Sequence, residues 1–109
     1  VLEAEVAARR FGIDPAKLLE VCSQGGASSV VLQKLLQYPI NGDASQFQAH
    51  AATALKDVTY YNQMADAADL HSMMSKSAQQ LFQLACALGE GDTLVPQLFD
   101  TFSKLSLKE

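Results

Sequence analysis

Apolar residues recur along the chain at spacings of three and four, with polar residues between them, and that period predicts helices from one end to the other. Leu2 and Val6, with Phe11 completing the spacing, lie in an Ala-, Glu- and Arg-rich segment. They predict a first helix from Val1 to about Arg10 that stops at Gly12. Asp14 can accept a hydrogen bond from the free amides of the next turn, and Pro15 presets φ at a first helical position, so a second helix starts there. Its inward face is Leu18, Leu19, Val21 and Cys22, and Gly25-Gly26 ends it. Ser28 or Ser29 can cap a third helix with Val31, Leu32, Leu35 and Leu36 on one face, which Tyr38-Pro39 should stop. Asn41-Gly42 often marks a hairpin, but no alternating strands flank it, so Pro39 to Asp43 is read as a loop.

From about Phe47 to Ala68 there is no Gly or Pro. Ala51, Ala54, Leu55, Val58 and Tyr61 form the stripe of a fourth and longest helix, whose alanines would let neighbouring helices approach closely. A fifth helix, roughly Ser72 to Leu88, points Met74, Ala78, Leu81, Phe82, Ala85 and Leu88 inward and ends at Gly89. Asp92 or Thr93 can cap a sixth that tolerates Pro96 in its first turn and buries Leu98, Phe99, Phe102 and Leu105. The polar end, Ser106 to Glu109, should fray. No stretch of useful length alternates with period two, so the expected fold is all-α: a single compact domain of about six helices over residues 1–109.

Composition narrows the function classes. The chain has 109 residues, 49% of them hydrophobic, enough for one core without staples. Eight basic residues face 12 acidic ones, and no basic cluster exceeds Arg9-Arg10, which argues against nucleic acid or an anionic membrane as partner. No apolar run reaches the ~20 residues that cross a bilayer, and the start Val-Leu-Glu-Ala-Glu lacks the features of a signal peptide, so the expected compartment is cytoplasmic. Without an initiator Met or a start signal for the first helix, the sequence reads as a piece of a longer protein. Cys22 and Cys86 sit in apolar helical patterns without metal-ligand spacing and are expected to be buried reduced thiols.

Few residues are placed for chemistry. No GxGxxG follows a strand, and the glycine pairs Gly25-Gly26 and Gly89 with Gly91 are accounted for as helix stops. His50 and His71 have no second ligand at helical spacing, so no metal site is expected, and no serine lies in a nucleophile elbow. What remains is Lys56-Asp57 in the middle of the long helix. By composition Lys56 reads as a solvated charge on an apolar stem.

Taken in order, Glu3-Ala4-Glu5 with Ala7-Ala8, Phe11-Gly12-Ile13-Asp14-Pro15 with Leu18-Leu19-Glu20-Val21, Ser23 to Ser29, Leu55-Lys56-Asp57-Val58 and Ala87-Leu88-Gly89-Glu90-Gly91-Asp92 carry a resemblance over nearly the whole chain. The chain resembles the C-terminal helical domain of the β-hydroxyacid dehydrogenases, the group of 3-hydroxyisobutyrate dehydrogenase and tartronate semialdehyde reductase, with the all-α fold of the 6-phosphogluconate dehydrogenase C-terminal domain. The resemblance implies a parent enzyme in which an N-terminal Rossmann domain binds NAD or NADP and a long interdomain helix supplies the catalytic lysine. The helical domain then closes over the nicotinamide and shapes the contacts of a homodimer. The Gly-rich segment that precedes the family's catalytic lysine has no counterpart here, so Lys17, Lys34 and Lys56 do not take that role and no catalytic residue is expected. Lys56 matches the lysine of the family's Lys-Asp-Leu motif, which implies a contact near the nicotinamide end of the cofactor; Val58 stands for the usual Leu.

Two function classes follow. One is the C-terminal domain of an NAD(P)-dependent oxidoreductase acting on a small β-hydroxy acid, inactive as a fragment and contributing closure, Lys56 and dimer contacts. The other is a non-catalytic helical interaction module in which Lys56 is a surface charge. Apolar surface uncovered at Leu2 and Val6 would favour self-association as a twofold dimer.

Overall fold

A computed structural model describes residues 1–106 of the chain. The expected fraying of the polar end concerns residues 107–109, which lie outside the described residues, and Ser106, which closes the last helix. The fold is all-α. Its elements are α1 (Leu2–Arg10), α2 (Pro15–Ser23), α3 (Val30–Asn41), α4 (Ala51–Ala67), α5 (Met73–Ala87), a single 3-10 turn (Val95–Gln97) and α6 (Leu98–Ser106), with no β-strand among the described residues. The described residues form two compact units, residues 1–48 with 94–106 and residues 49–93.

In the first unit α1 packs on α2 and α6, α2 on α3, and α3 on the 3-10 turn. Leu36, Leu98 and Phe99 are fully buried, with Leu32, Leu35, Val6 and Val95 close behind. The turn chemistry follows the side chains. Asp14 Oδ1 accepts the Ala16 amide at 2.9 Å, and of the two candidate serines it is Ser29 whose Oγ accepts the Leu32 amide, also at 2.9 Å. Gly12 and Gly42 sit at φ +71 and +80, where an L side chain is strained.

Four expectations for this unit are corrected. Tyr38-Pro39 does not stop α3, which runs through Pro39 to Asn41. Proline removes only the one amide bond that it would have made, and the next turn still closes where Gly42 N–H donates to the Tyr38 carbonyl at 2.7 Å. Phe11 is 82% exposed and Val21 and Val31 are also exposed, because the apolar residues outnumber the positions that the helix pairs enclose. Neither Asp92 nor Thr93 caps the last helical segment. Its start is Leu94, whose amide donates to the Gln97 side-chain oxygen at 3.2 Å. Finally, Val6 is buried and Leu2 half-buried, so the uncovered surface expected there is absent.

The second unit is a helical hairpin of α4 and α5. Asn62 on α4 is buried and held from both sides: its Nδ2 donates to Gln79 Oε1 at 2.6 Å, and its Oδ1 accepts the Ser75 hydroxyl at 2.6 Å. Lys76 pairs with Asp66 at 2.9 Å nearer the turn. Ala51, Ala65 and Ala85 are fully buried, so small side chains fill this thin core. α4 is the longest helix, as expected, but begins at Ala51 rather than Phe47. Met74 at 87% exposed, Leu88 and Tyr61 face solvent instead of pointing inward. Cys22 and Cys86 are free thiols, half-buried rather than buried.

Candidate functional site

The residue singled out by sequence, Lys56, lies near the start of α4, and that start is built in an unusual way. A helix leaves its first amides without intrahelical partners, and a side chain commonly fills the gap. His50, the residue before α4, makes no such bond. Instead the Ala51 and Ala52 amides donate to the carbonyls of Thr93 and Gly91, each at 2.9 Å. The segment that supplies them is itself stitched: Gly89 takes φ +84, Glu90 N–H donates to the Ala85 carbonyl at 2.9 Å, and the Thr93 hydroxyl donates to the Glu90 carboxylate. The Gly89-Glu90-Gly91-Asp92 motif thus closes the end of α5 and caps the helix that carries Lys56.

Lys56 itself is exposed, and among the described residues it has neither an ion pair nor a hydrogen bond. One turn further, Tyr60 is also exposed. An ammonium with all three donors available suits an acceptor-rich ligand edge. At the N-terminus of α4 the first two amides are already taken by carbonyls, which leaves fewer of them for a phosphate. At α2 and α3 the carboxylate of Asp14 and the hydroxyl of Ser29 each occupy one of the initial amides. The starts of α2, α3 and α4 thus each have initial amides already bonded, and Lys56 stands free on the exposed face of α4.

The sequence reading missed a polar network in the first unit. Glu5 on α1 is 1% exposed. Arg9 Nε donates to Glu5 Oε1 at 2.7 Å, Arg9 Nη1 donates to Asp100 Oδ1 at 3.1 Å, and the Tyr38 hydroxyl donates to Asp100 Oδ2 at 2.6 Å. Burial works against the Arg9 charge, but the bonds to Glu5 and Asp100 outweigh it and hold its pKa above the ordinary value. Tyr38 is likewise raised, first by its bond to Asp100 and then by burial and the charge of that carboxylate. Arg9 and Tyr38 both stay protonated at neutral pH, and the network clamps α1, α3 and α6 together. Glu5 Oε2 is buried without a hydrogen-bond partner. The i,i+4 spacing of Glu5 and Arg9 was the available signal; Tyr38 and Asp100 arrive only through the tertiary fold.

No group of three or more His, Cys, Asp or Glu residues able to hold a metal occurs among the described residues. His50 and His71 are both exposed. No described helix is long and apolar enough to cross a membrane. The fold and this site define an all-α domain in which Lys56 is, with Arg10, Lys34 and Lys104, an exposed cation without an ion pair among the described residues.

A family model described as NAD-binding of NADP-dependent 3-hydroxyisobutyrate dehydrogenase matches residues 1–98. The chain belongs to this family, and so is a domain of the NAD(P)-dependent β-hydroxyacid dehydrogenase group. Comparison with curated proteins and with solved structures yields no match.

Proposed function

We propose that the chain is the helical domain of an NAD(P)-dependent oxidoreductase that acts on a small β-hydroxy acid. A companion Rossmann domain binds the cofactor, the helical domain closes over its nicotinamide end, and Lys56 supplies a cationic contact there. The cofactor, when bound, supplies the hydride chemistry; Lys56 orients an acceptor edge. The observation that carries this reading is the family match over residues 1–98, with its Lys-Asp pair presented on an exposed helix face. The protein works in the cytoplasm as a twofold dimer of such subunits.

Two assays test the proposal. The chain alone should bind NAD and NADP no tighter than millimolar, since one exposed contact contributes about 0.5–1.5 kcal/mol. Joined to a family Rossmann domain, it should support reduction of the cofactor by a small β-hydroxy acid. Micromolar binding by the chain alone, or a joined protein that loads cofactor but turns over no β-hydroxy acid, would overturn the reading.

A further inference from the structure

The end of α3 carries chemistry that the cofactor reading does not use. The chain has two asparagines, Asn41 and Asn62. Asn41 is the last residue of α3, is exposed, and is followed by Gly42 at φ +80 with open space beside the glycine α-carbon. An asparagine before glycine is open to attack by its own chain, because residue 42 has no Cβ to hinder its backbone nitrogen from reaching the Asn41 side-chain carbonyl. The electrophile is already polarised. The Asp43 amide donates to Asn41 Oδ1 at 2.9 Å in an Asx turn, and a donor there supports the negative charge that builds on that oxygen during attack. Asn41 Nδ2, the group that would leave, donates only to Gln37 Oε1, at 3.2 Å and on the exposed surface.

What restrains the nucleophile is one backbone bond. Gly42 N–H donates to the Tyr38 carbonyl at 2.7 Å, and while that bond stands the nitrogen is engaged in the last turn of α3. The turn is thinly secured, because Pro39 lies inside it and brings no amide to the Leu35 carbonyl. Fraying of such a terminal turn is among the least costly openings of a fold. Asn62 is the opposite case: 4% exposed in the middle of α4, held by Gln79 and Ser75, and followed by Gln63. We infer that Asn41 is a site of spontaneous covalent modification, deamidation through a succinimide, gated by opening of the last turn of α3. The Gly42 nitrogen bonds to Asn41 Cγ and gives up its proton, the bond from Cγ to Nδ2 breaks, and ammonia leaves. Water then opens the cyclic imide at either carbonyl to give aspartate or isoaspartate, and nothing is oxidised or reduced. Either product adds a negative charge to a net of −4. It places that charge at the negative end of the helix dipole and loses the donor to Gln37, so the turn stays open after the change.

The test ages the whole folded chain in mildly alkaline buffer beside the same chain unfolded in guanidinium chloride, and locates the modified residues by peptide mass spectrometry. In the folded chain Asn41 should convert to a mixture of isoaspartate and aspartate, more slowly than in the unfolded chain, while Asn62 stays intact. Amide hydrogen exchange of Gly42 reads the gate directly. Pro39→Ala returns a backbone donor to the turn and should slow Gly42 exchange and Asn41 conversion by the same factor, severalfold, as one backbone hydrogen bond is worth. Asn41→Asp, which carries the charge of the product, should make Gly42 exchange severalfold faster than in the parent. Circular dichroism checks that both variants keep their helix content. Should Pro39→Ala not fold, guanidinium chloride below the unfolding midpoint opens the same turn in the parent, and exchange and conversion should rise together. Asn41 intact in the folded chain while it converts in the unfolded one would overturn the inference. So would aspartate without isoaspartate, conversion that does not follow Gly42 exchange, or Gly42 exchange no faster in Asn41→Asp. Lys56 and the cofactor play no part in these measurements, so their outcome is independent of the oxidoreductase reading.

Discussion

The two units of this chain spend their apolar residues in opposite ways. Residues 1–48 with 94–106 bury large ones: Leu36, Leu98 and Phe99 are fully enclosed, and a charged network ties three helices together. Residues 49–93 enclose Ala51, Ala65, Ala85 and Asn62, and turn their tyrosines and methionines to solvent. A pair of helices has one contact face each, so it cannot cover what several helices can, and alanine there brings the backbones together while contributing little buried area. The difference teaches that stability resides mainly in the first unit, and that the second offers surface for recognition.

The sharpest way to break that comparison is Phe99→Ala against Met74→Ala. Truncating the buried phenylalanine should cost about 3–5 kcal/mol in denaturant unfolding, and truncating the exposed methionine less than about 0.5 kcal/mol. Comparable losses would mean that the second unit has a core of its own weight.

Next in size is the network. Arg9→Met leaves the Glu5 carboxylate buried without its donor and should cost about 1–3 kcal/mol. Glu5→Met combined with Arg9→Met should recover most of the loss, because two apolar side chains replace a pair that had to be desolvated. A double variant as unstable as the single one would show that the network's value lies elsewhere than in satisfying Glu5.

A smaller, pH-dependent effect comes from Tyr38. Its folded pKa lies above the ordinary 10.0, chiefly through the bond to Asp100. A group raised on folding contributes fully at pH below its unfolded value and loses that contribution as pH rises through the folded one. Unfolding measured on both sides of pH 10.0 should therefore show the parent losing stability more steeply than Tyr38→Phe above that value. Parallel curves would remove Tyr38 from the clamp.

Local chemistry made much of this architecture legible, and long-range burial hid the rest. Asp14-Pro15, Ser29, Gly12 and Gly89 mark real helix ends because each acts on its own neighbours. Pro39 misled because a proline near the end of a helix costs one bond, not the helix. Phe11, Val21, Val31, Met74 and Leu88 fit an inward period yet face water, since periodicity finds a stripe but not whether another element arrives to cover it. At the candidate site the motif singles out Lys56, and the structure adds that it is exposed. The Gly91 and Thr93 carbonyls that cap its helix could not be found from the sequence, because backbone acceptors carry no signature in side-chain identity.

Lys56 is where the recognition half of the comparison meets the proposed chemistry. In the chain joined to a family Rossmann domain, Lys56→Ala should leave the thermal midpoint unchanged, since alanine is a better helix former than the exposed lysine it replaces. The measurement is cofactor affinity by titration of NADPH fluorescence. Loss of the contact should weaken binding by roughly three- to tenfold, with Lys56→Arg retaining part of it; affinity identical in the parent and Lys56→Ala would contradict the account and leave Lys56 a solvated surface charge.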